Sequence, residues 1–153
     1  MSIFLPVVSG HSGNLARFLE IMRTHPEQRR PEVTWDDALA SVAQRRAEDM
    51  SKRNYFGHVD LDGYGPNYHV RQADIRLPDW YQDEPHSNNV EVIAGGYSTP
   101  EDCFAGFLTS PGHRMFLLGE HIMFEQQTLV GIGWDYRWTS RYRPIWAVLC
   151  RPP

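Results

Sequence analysis

With 153 residues, 41% of them hydrophobic and 12% aromatic, the chain has the size of one ordinary domain and enough apolar material for a core, which excludes intrinsic disorder. Its formal charge of −4 gives no basic stripe for nucleic acid, so no nucleic-acid partner is expected. No run approaches the roughly 18 consecutive apolar residues of a membrane span, and Cys103 and Cys150, without CxxC spacing, exclude a zinc ribbon or a thioredoxin-type motif.

Residues 3–8 are apolar but too short for a signal peptide and lack its basic flank. An exported protein would already have lost its leader here, and residues 1–13 read as a flexible lead-in. A first helix spans about residues 14–24, where Leu15, Phe18, Leu19 and Met22 recur at helical spacing. His25-Pro26 ends it, since the residue before proline avoids helical backbone. A second helix is expected from Thr34, as N-cap, to about Asn54, with Asp36 and Asp37 in its first turn. Leu39, Val42, Ala43, Ala47 and Met50 form its buried stripe, leaving Arg45, Arg46, Glu48, Asp49 and Lys52 on or near the wet face.

Residues 55–85 are irregular, punctuated by Gly57, Gly63, Gly65, Pro66, Pro78 and Pro85, with a short helix around 67–73. A loop region this long inside a compact domain is usually functional. Residues 88–94 read as a strand closed by Gly95-Gly96. Thr99-Pro100-Glu101-Asp102 starts a helix that carries Phe104, Phe107 and Leu108 inward and stops near Ser110-Pro111-Gly112. Residues 129–134 and 145–149 are two further strands, joined by a turn over 135–144. In that turn Arg137, Arg141 and Arg143 sit among Trp138 and Tyr142, a composition that suits a polyanion site but equally an exposed hairpin loop, the reading preferred here.

Three ionisable residues stand out. Of the seven histidines, His11, His25, His69, His86 and His121 lie among turn residues or at segment ends and read as solvent-exposed. His58 leads into Asp60-x-Asp62-Gly63, which begins like a calcium loop but lacks the further oxygen ligands and the closing glutamate, so it reads as a turn. Glu91 lies between Val90 and Val92 and needs a polar cavity, a partner or an edge position facing water. His113 lies just past a helix, in Ser110-Pro111-Gly112-His113-Arg114. Two imidazoles and a carboxylate can hold zinc with an open position or act as an acid–base pair. The nearby hydroxyls, Ser87 and Ser110, read as turn residues. The two cysteines fit one disulfide or two buried small hydrophobes.

At these residues the chain resembles the CAP superfamily (cysteine-rich secretory proteins, antigen 5 and plant pathogenesis-related class 1 proteins), in its bacterial SCP-domain branch. Leu39-Ala40-x-x-Ala43-x-x-x-Ala47-Glu48-Asp49-Met50 resembles the family's second helix, and the stretch from Tyr55-Phe56-Gly57-His58 through Gly65-Pro66 to Arg71 resembles its "sHxdxdGxsPxxR" segment. Glu91-Val92-Ile93-Ala94-Gly95 resembles the Gly-Glu-Asn-Ile-Ala motif, and Ser110 to Arg114 the segment around the second histidine. Val130-Gly131-Ile132-Gly133 and Ile145-Trp146-Ala147-Val148 resemble the closing strands.

The resemblance implies an α+β fold, a three-layer α-β-α sandwich with a central antiparallel sheet, in a single domain over residues 14–153. It implies that His58, Glu91 and His113 meet in an open cleft, with Glu91 in hydrogen-bond reach of at least one histidine. Family members hold divalent metal through the two histidines; others bind sterols, lipids or proteins, and no single reaction is accepted for the family. Here Val92 and Val90 replace the motif's Asn and Gly, and the helix Phe104-Ala105-Gly106-Phe107-Leu108-Thr109 lacks the second cleft glutamate of eukaryotic members. The eukaryotic disulfide set is absent too. The expectation is a secreted or surface-exposed, monomeric binding domain. Its ligand is an unspecified small molecule, lipid or protein, and His58 and His113 weakly hold a divalent metal, zinc first. The alternative is a metal-assisted hydrolase of peptides or cell-envelope material using His58, Glu91 and His113. That site is one group short, unless Asp60, Glu84 or His86 fills the gap.

Overall fold

The computed structural model describes residues 12–153. Most of the lead-in expected over residues 1–13 lies outside the described residues, but Ser12 and Gly13 already belong to the first helix, α1 (Ser12–Thr24). Then follow β1 (Thr34–Trp35), α2 (Asp37–Lys52), α3 (Pro66–Gln72), β2 (Glu91–Gly95), α4 (Pro100–Leu108), α5 (Pro111–Leu118), α6 (Ile122–Glu125), β3 (Leu129–Asp135) and β4 (Ile145–Arg151).

The strands form one sheet in the order β1-β3-β4-β2. β4 runs antiparallel to both neighbours, with Trp134 opposite Trp146 in β3 and Glu91 opposite Leu149 in β2. Alternate β4 residues point to opposite faces. Ile145, Ala147 and Leu149 join Leu39, Val42, Ala43, Ala47 and Met50 of α2 in one core. Trp146, Val148 and Cys150 join Leu15, Phe18, Leu19 and Met22 of α1 and Phe104 and Phe107 of α4 in the other. The sheet is therefore the middle layer of three. β4 is buried on both faces, which is why it reads as a continuous apolar run.

Several boundaries differ from expectation: β2 begins at Glu91 rather than at residue 88 and takes in Gly95. Thr34 does not cap α2: its amide donates to the Thr128 carbonyl, and β1 pairs with β3 in parallel, so the sheet is antiparallel only over β2, β3 and β4. Asp36 is the cap, its Oδ1 accepting from the Ala38 amide at 3.2 Å. Ser110-Pro111-Gly112 ends α4 and also starts α5, with Ser110 at the N-cap and Pro111 in the first turn, so His113 lies inside a helix and not after one. Both cysteines are buried and free, and burial pushes the Cys150 thiol up to about 11.

α2 lies directly on β3. A Cβ on Gly131 would fall 2.2 Å from the Ala40 nitrogen, and one on Gly133 would fall 2.4 Å from the Ala43 carbonyl carbon. Beyond the short β1, the open edge of β3 is closed by a side chain: Gln44 accepts from the Trp134 amide at 3.0 Å and donates to the Trp134 carbonyl at 2.9 Å. The amide of Gln44 thus stands in for a strand.

Candidate functional site

The site begins on α2 with a residue that the composition of the helix conceals. Arg46 was expected near the wet face but is only 2% exposed. It lies seven positions after Leu39 and three after Ala43, on the buried stripe by spacing; only its charge argued otherwise. Its guanidinium donates through Nε to Glu91 Oε2 at 2.9 Å and through Nη2 to Glu91 Oε1 at 3.1 Å. Nη1 reaches the Tyr55 hydroxyl at 3.1 Å, and Nη2 also reaches the Gly57 and His58 carbonyls at 2.8 and 2.9 Å. One cation therefore ties α2 to β2 and to the segment that carries His58.

Glu91 follows from the register of β2. It shares the face of Ile93 and Leu149, which points to α2, and its side chain is fully buried. Of the alternatives for an acid between valines, the partner is the one realised. Burial alone would raise its pKa, but the Arg46 charge and the hydrogen bonds from His58 and Arg46 hold it below the ordinary glutamate value. An ionised carboxylate only accepts, so the contact of His58 Nδ1 with Glu91 Oε1 at 3.0 Å places the proton on Nδ1. In the neutral ring this leaves the Nε2 lone pair uncommitted. The His58 side chain is 38% exposed while Glu91 beneath it is sealed.

His113, in the first turn of α5, is half-buried with its ring edge-on to Phe107 at 5.3 Å. Burial lowers its pKa, and the nearby charge of His58 lowers it further, so the two rings sense each other and both effects favour the neutral form of His113. It has no hydrogen bond among the described residues. The structure thus brings Glu91 and His58 into contact and sets His113 within electrostatic reach of His58. Among the described residues, no three of His, Cys, Asp and Glu form a group able to hold a metal.

The other candidates are engaged elsewhere. Asp60 is buried; its Oδ1 accepts the Asp62 and Tyr64 amides at 2.9 Å each, and its Oδ2 meets His69 Nε2 at 2.8 Å. This builds a turn, with Gly63 at φ +92°, and no calcium loop. It also corrects the reading of His69 as a free surface histidine. Glu84 accepts from the Ser87 hydroxyl at 2.9 Å, Ser110 occupies the N-cap position of α5 without a side-chain capping bond, and His86 is exposed. A cleft of about 450 Å³ that sequence reasoning missed lies beside Arg46, lined among others by Arg45, Asp49, Arg53, Asp62 and His69. Its residues are scattered over α2, α3 and the irregular segment, so no local motif announces it.

The Cysteine-rich secretory protein family model (CAP) matches residues 14–148. Among curated proteins, the chain is 31% identical over 109 residues to the uncharacterized membrane protein YlbC of Bacillus subtilis (strain 168), covering 71% of this chain and 28% of that protein. It is 26% identical over 110 residues to the uncharacterized protein YkwD of the same strain, covering 70% of this chain and 37% of that one. The chain thus spans well under half the length of these two relatives. Among solved structures, it resembles an extracellular protein containing a SCP domain from Bacillus anthracis, with TM-score 0.66, 20% identity, and 99% of this chain and 46% of that one covered. It also resembles an outer surface protein from Borrelia burgdorferi, with TM-score 0.65, 18% identity, and 99% and 98% covered. With a family model matched along almost its whole length and the fold shared with bacterial SCP-domain structures, the chain belongs to the cysteine-rich secretory protein (CAP) family.

Proposed function

We propose that this chain is a binding domain displayed outside the cell, whose site takes a divalent metal, zinc first, weakly through His58 and His113. The observation that carries this reading is the hydrogen bond from His58 to Glu91. A metal-binding histidine characteristically donates its other ring nitrogen to a carboxylate, which fixes its tautomer and raises its basicity. His58 has that arrangement, and the surroundings of His113 favour its neutral form, the form that binds. Two protein ligands leave half of a four-coordinate zinc's shell to water or to a ligand's own donors. The metal would supply a Lewis-acid centre for an anionic or carbonyl-bearing ligand. The outside location rests on relatives described as extracellular or outer surface proteins. Among the described residues no helix is long and apolar enough to cross a membrane.

Hydrolysis is the less supported reading. A base must be free to take a proton from water, and both Glu91 oxygens are held by Arg46, with His58 on one of them. Calorimetric zinc titration tests the binding reading. Wild type binds weakly at neutral pH, Glu91→Gln loses about 10–100-fold in affinity, and the His58→Ala/His113→Ala variant does not bind. Binding fades as the pH falls below the ordinary histidine value of 6.5. Equal heats from the double variant, or binding that persists well below that pH, would overturn the two-histidine site. A peptide-library digest with added zinc that cleaves only with intact histidines would favour the hydrolase.

A further inference from the structure

The β3–β4 connection carries a feature that the histidine site does not use. Residues 136–144 read Tyr-Arg-Trp-Thr-Ser-Arg-Tyr-Arg-Pro, with three arginines and no acid, on a chain whose formal charge is −4. Trp138 is 77% exposed and Tyr136 52% exposed, unusual for large apolar rings, and Tyr142 and all three arginines are exposed as well. Among the described residues, Arg137 pairs only with Asp135, at 3.4 Å, and the Arg143 guanidinium only with the Ser140 carbonyl, at 3.0 Å.

The tip is also braced from beneath. Ser140 is fully buried, its amide donates to the Arg137 carbonyl at 2.9 Å, and its hydroxyl accepts from the Tyr142 amide at 3.3 Å. Asn54 Oδ1 accepts from the Arg141 amide at 2.9 Å, the Gly96 amide donates to the Pro144 carbonyl at 2.9 Å, and Phe56 stacks on Tyr142 at 5.5 Å. The exposed rings therefore stand on a preorganised support and need no loop ordering on contact.

We propose that this hairpin tip is a docking surface for an anionic lipid bilayer, with Trp138 and Tyr136 in the headgroup layer and Arg137, Arg141 and Arg143 against lipid phosphates. Tryptophan and tyrosine favour the membrane–water interface, and basic residues near an anionic leaflet add attraction that falls off within a Debye length. A planar surface touches the basic tip and leaves the acidic remainder of the chain facing away. A long flexible polyanion would instead run on into that remainder. This surface uses none of the side chains of the histidine site, although Phe56, two positions before His58, supports it.

Vesicle co-sedimentation, read together with tryptophan fluorescence, tests the proposal. The chain binds equimolar phosphatidylglycerol–phosphatidylcholine vesicles with a blue shift, binds phosphatidylcholine alone much less, and is released by salt. Arg137→Gln/Arg141→Gln/Arg143→Gln weakens binding about a hundredfold, and Trp138→Ala abolishes most of the blue shift. Trp80→Ala, which removes a tryptophan 61% exposed elsewhere, binds as wild type. Circular dichroism confirms that each variant is folded. Absence of binding, equal binding to neutral vesicles, binding indifferent to the hairpin substitutions, or capture by inorganic polyphosphate without capture by vesicles each overturns the proposal.

Discussion

A guanidinium in a dry interior is stable only when nearly every donor is met, and Arg46 meets two carboxylate oxygens, one hydroxyl and two carbonyls. The pair with Glu91 is therefore a point where truncation strands a charge. Arg46→Met should lower unfolding stability by about 3–5 kcal/mol in urea titrations, because the buried carboxylate loses its permanent countercharge and keeps only the hydrogen bond from His58. Arg46→Met/Glu91→Met should recover most of that loss, since neither charge remains. Acid has a related effect. Glu91 titrates below its ordinary value of 4.5 in the fold, so its ionised form adds stability above that value, and the contribution disappears as the pH falls through the lower, folded value. Asp60 behaves in the same sense: burial opposes ionisation, but the Tyr64 amide, His69 and the Asp62 amide hold it down. Glu91→Gln should flatten part of the acid limb of an unfolding curve followed by circular dichroism and leave the Asp60 part.

Helix α2 is the element on which the molecule turns. Gly131 and Gly133 let its backbone rest on β3, so Gly131→Ala drives a methyl into the Ala40 main chain, which cannot give as a flexible side chain would. A loss of about 1–3 kcal/mol or more is expected, read as a lowered thermal midpoint. Beside this contact, Gln44→Ala uncovers the edge of β3 at Trp134. It should cost about 0.5–1.5 kcal/mol and raise concentration-dependent association in light scattering, because an uncovered edge pairs with other chains. The apolar stripe of α2 was legible in the sequence, Arg46 excepted, as were the Thr99 cap of α4 and the apolar runs of β3 and β4. α5 was not, since Ser110-Pro111-Gly112 reads as a stop although Ser-Pro is also a good start. β1 was missed because two residues carry no period, and its pairing is fixed only by the distant β3.

At the scale of the whole molecule, the sheet separates two cores, and the site sits where β2 meets the segment leading from α2. Motif order pointed to His58, Glu91 and His113, but the residue that organises them stayed hidden, because an arginine at a core position looks like surface until its partner 45 positions away is in place. The 450 Å³ cleft was illegible for a similar reason, being assembled from three separate stretches of chain. The way Arg46 grips the irregular segment has a further result. It holds the carbonyls of Gly57 and His58, atoms that every residue type provides. The path of the backbone there is thus held through main-chain atoms by Arg46, in addition to the contact of the His58 side chain with Glu91. A change of side chain at position 58 would therefore cost the contact with Glu91 but leave these two main-chain anchors in place.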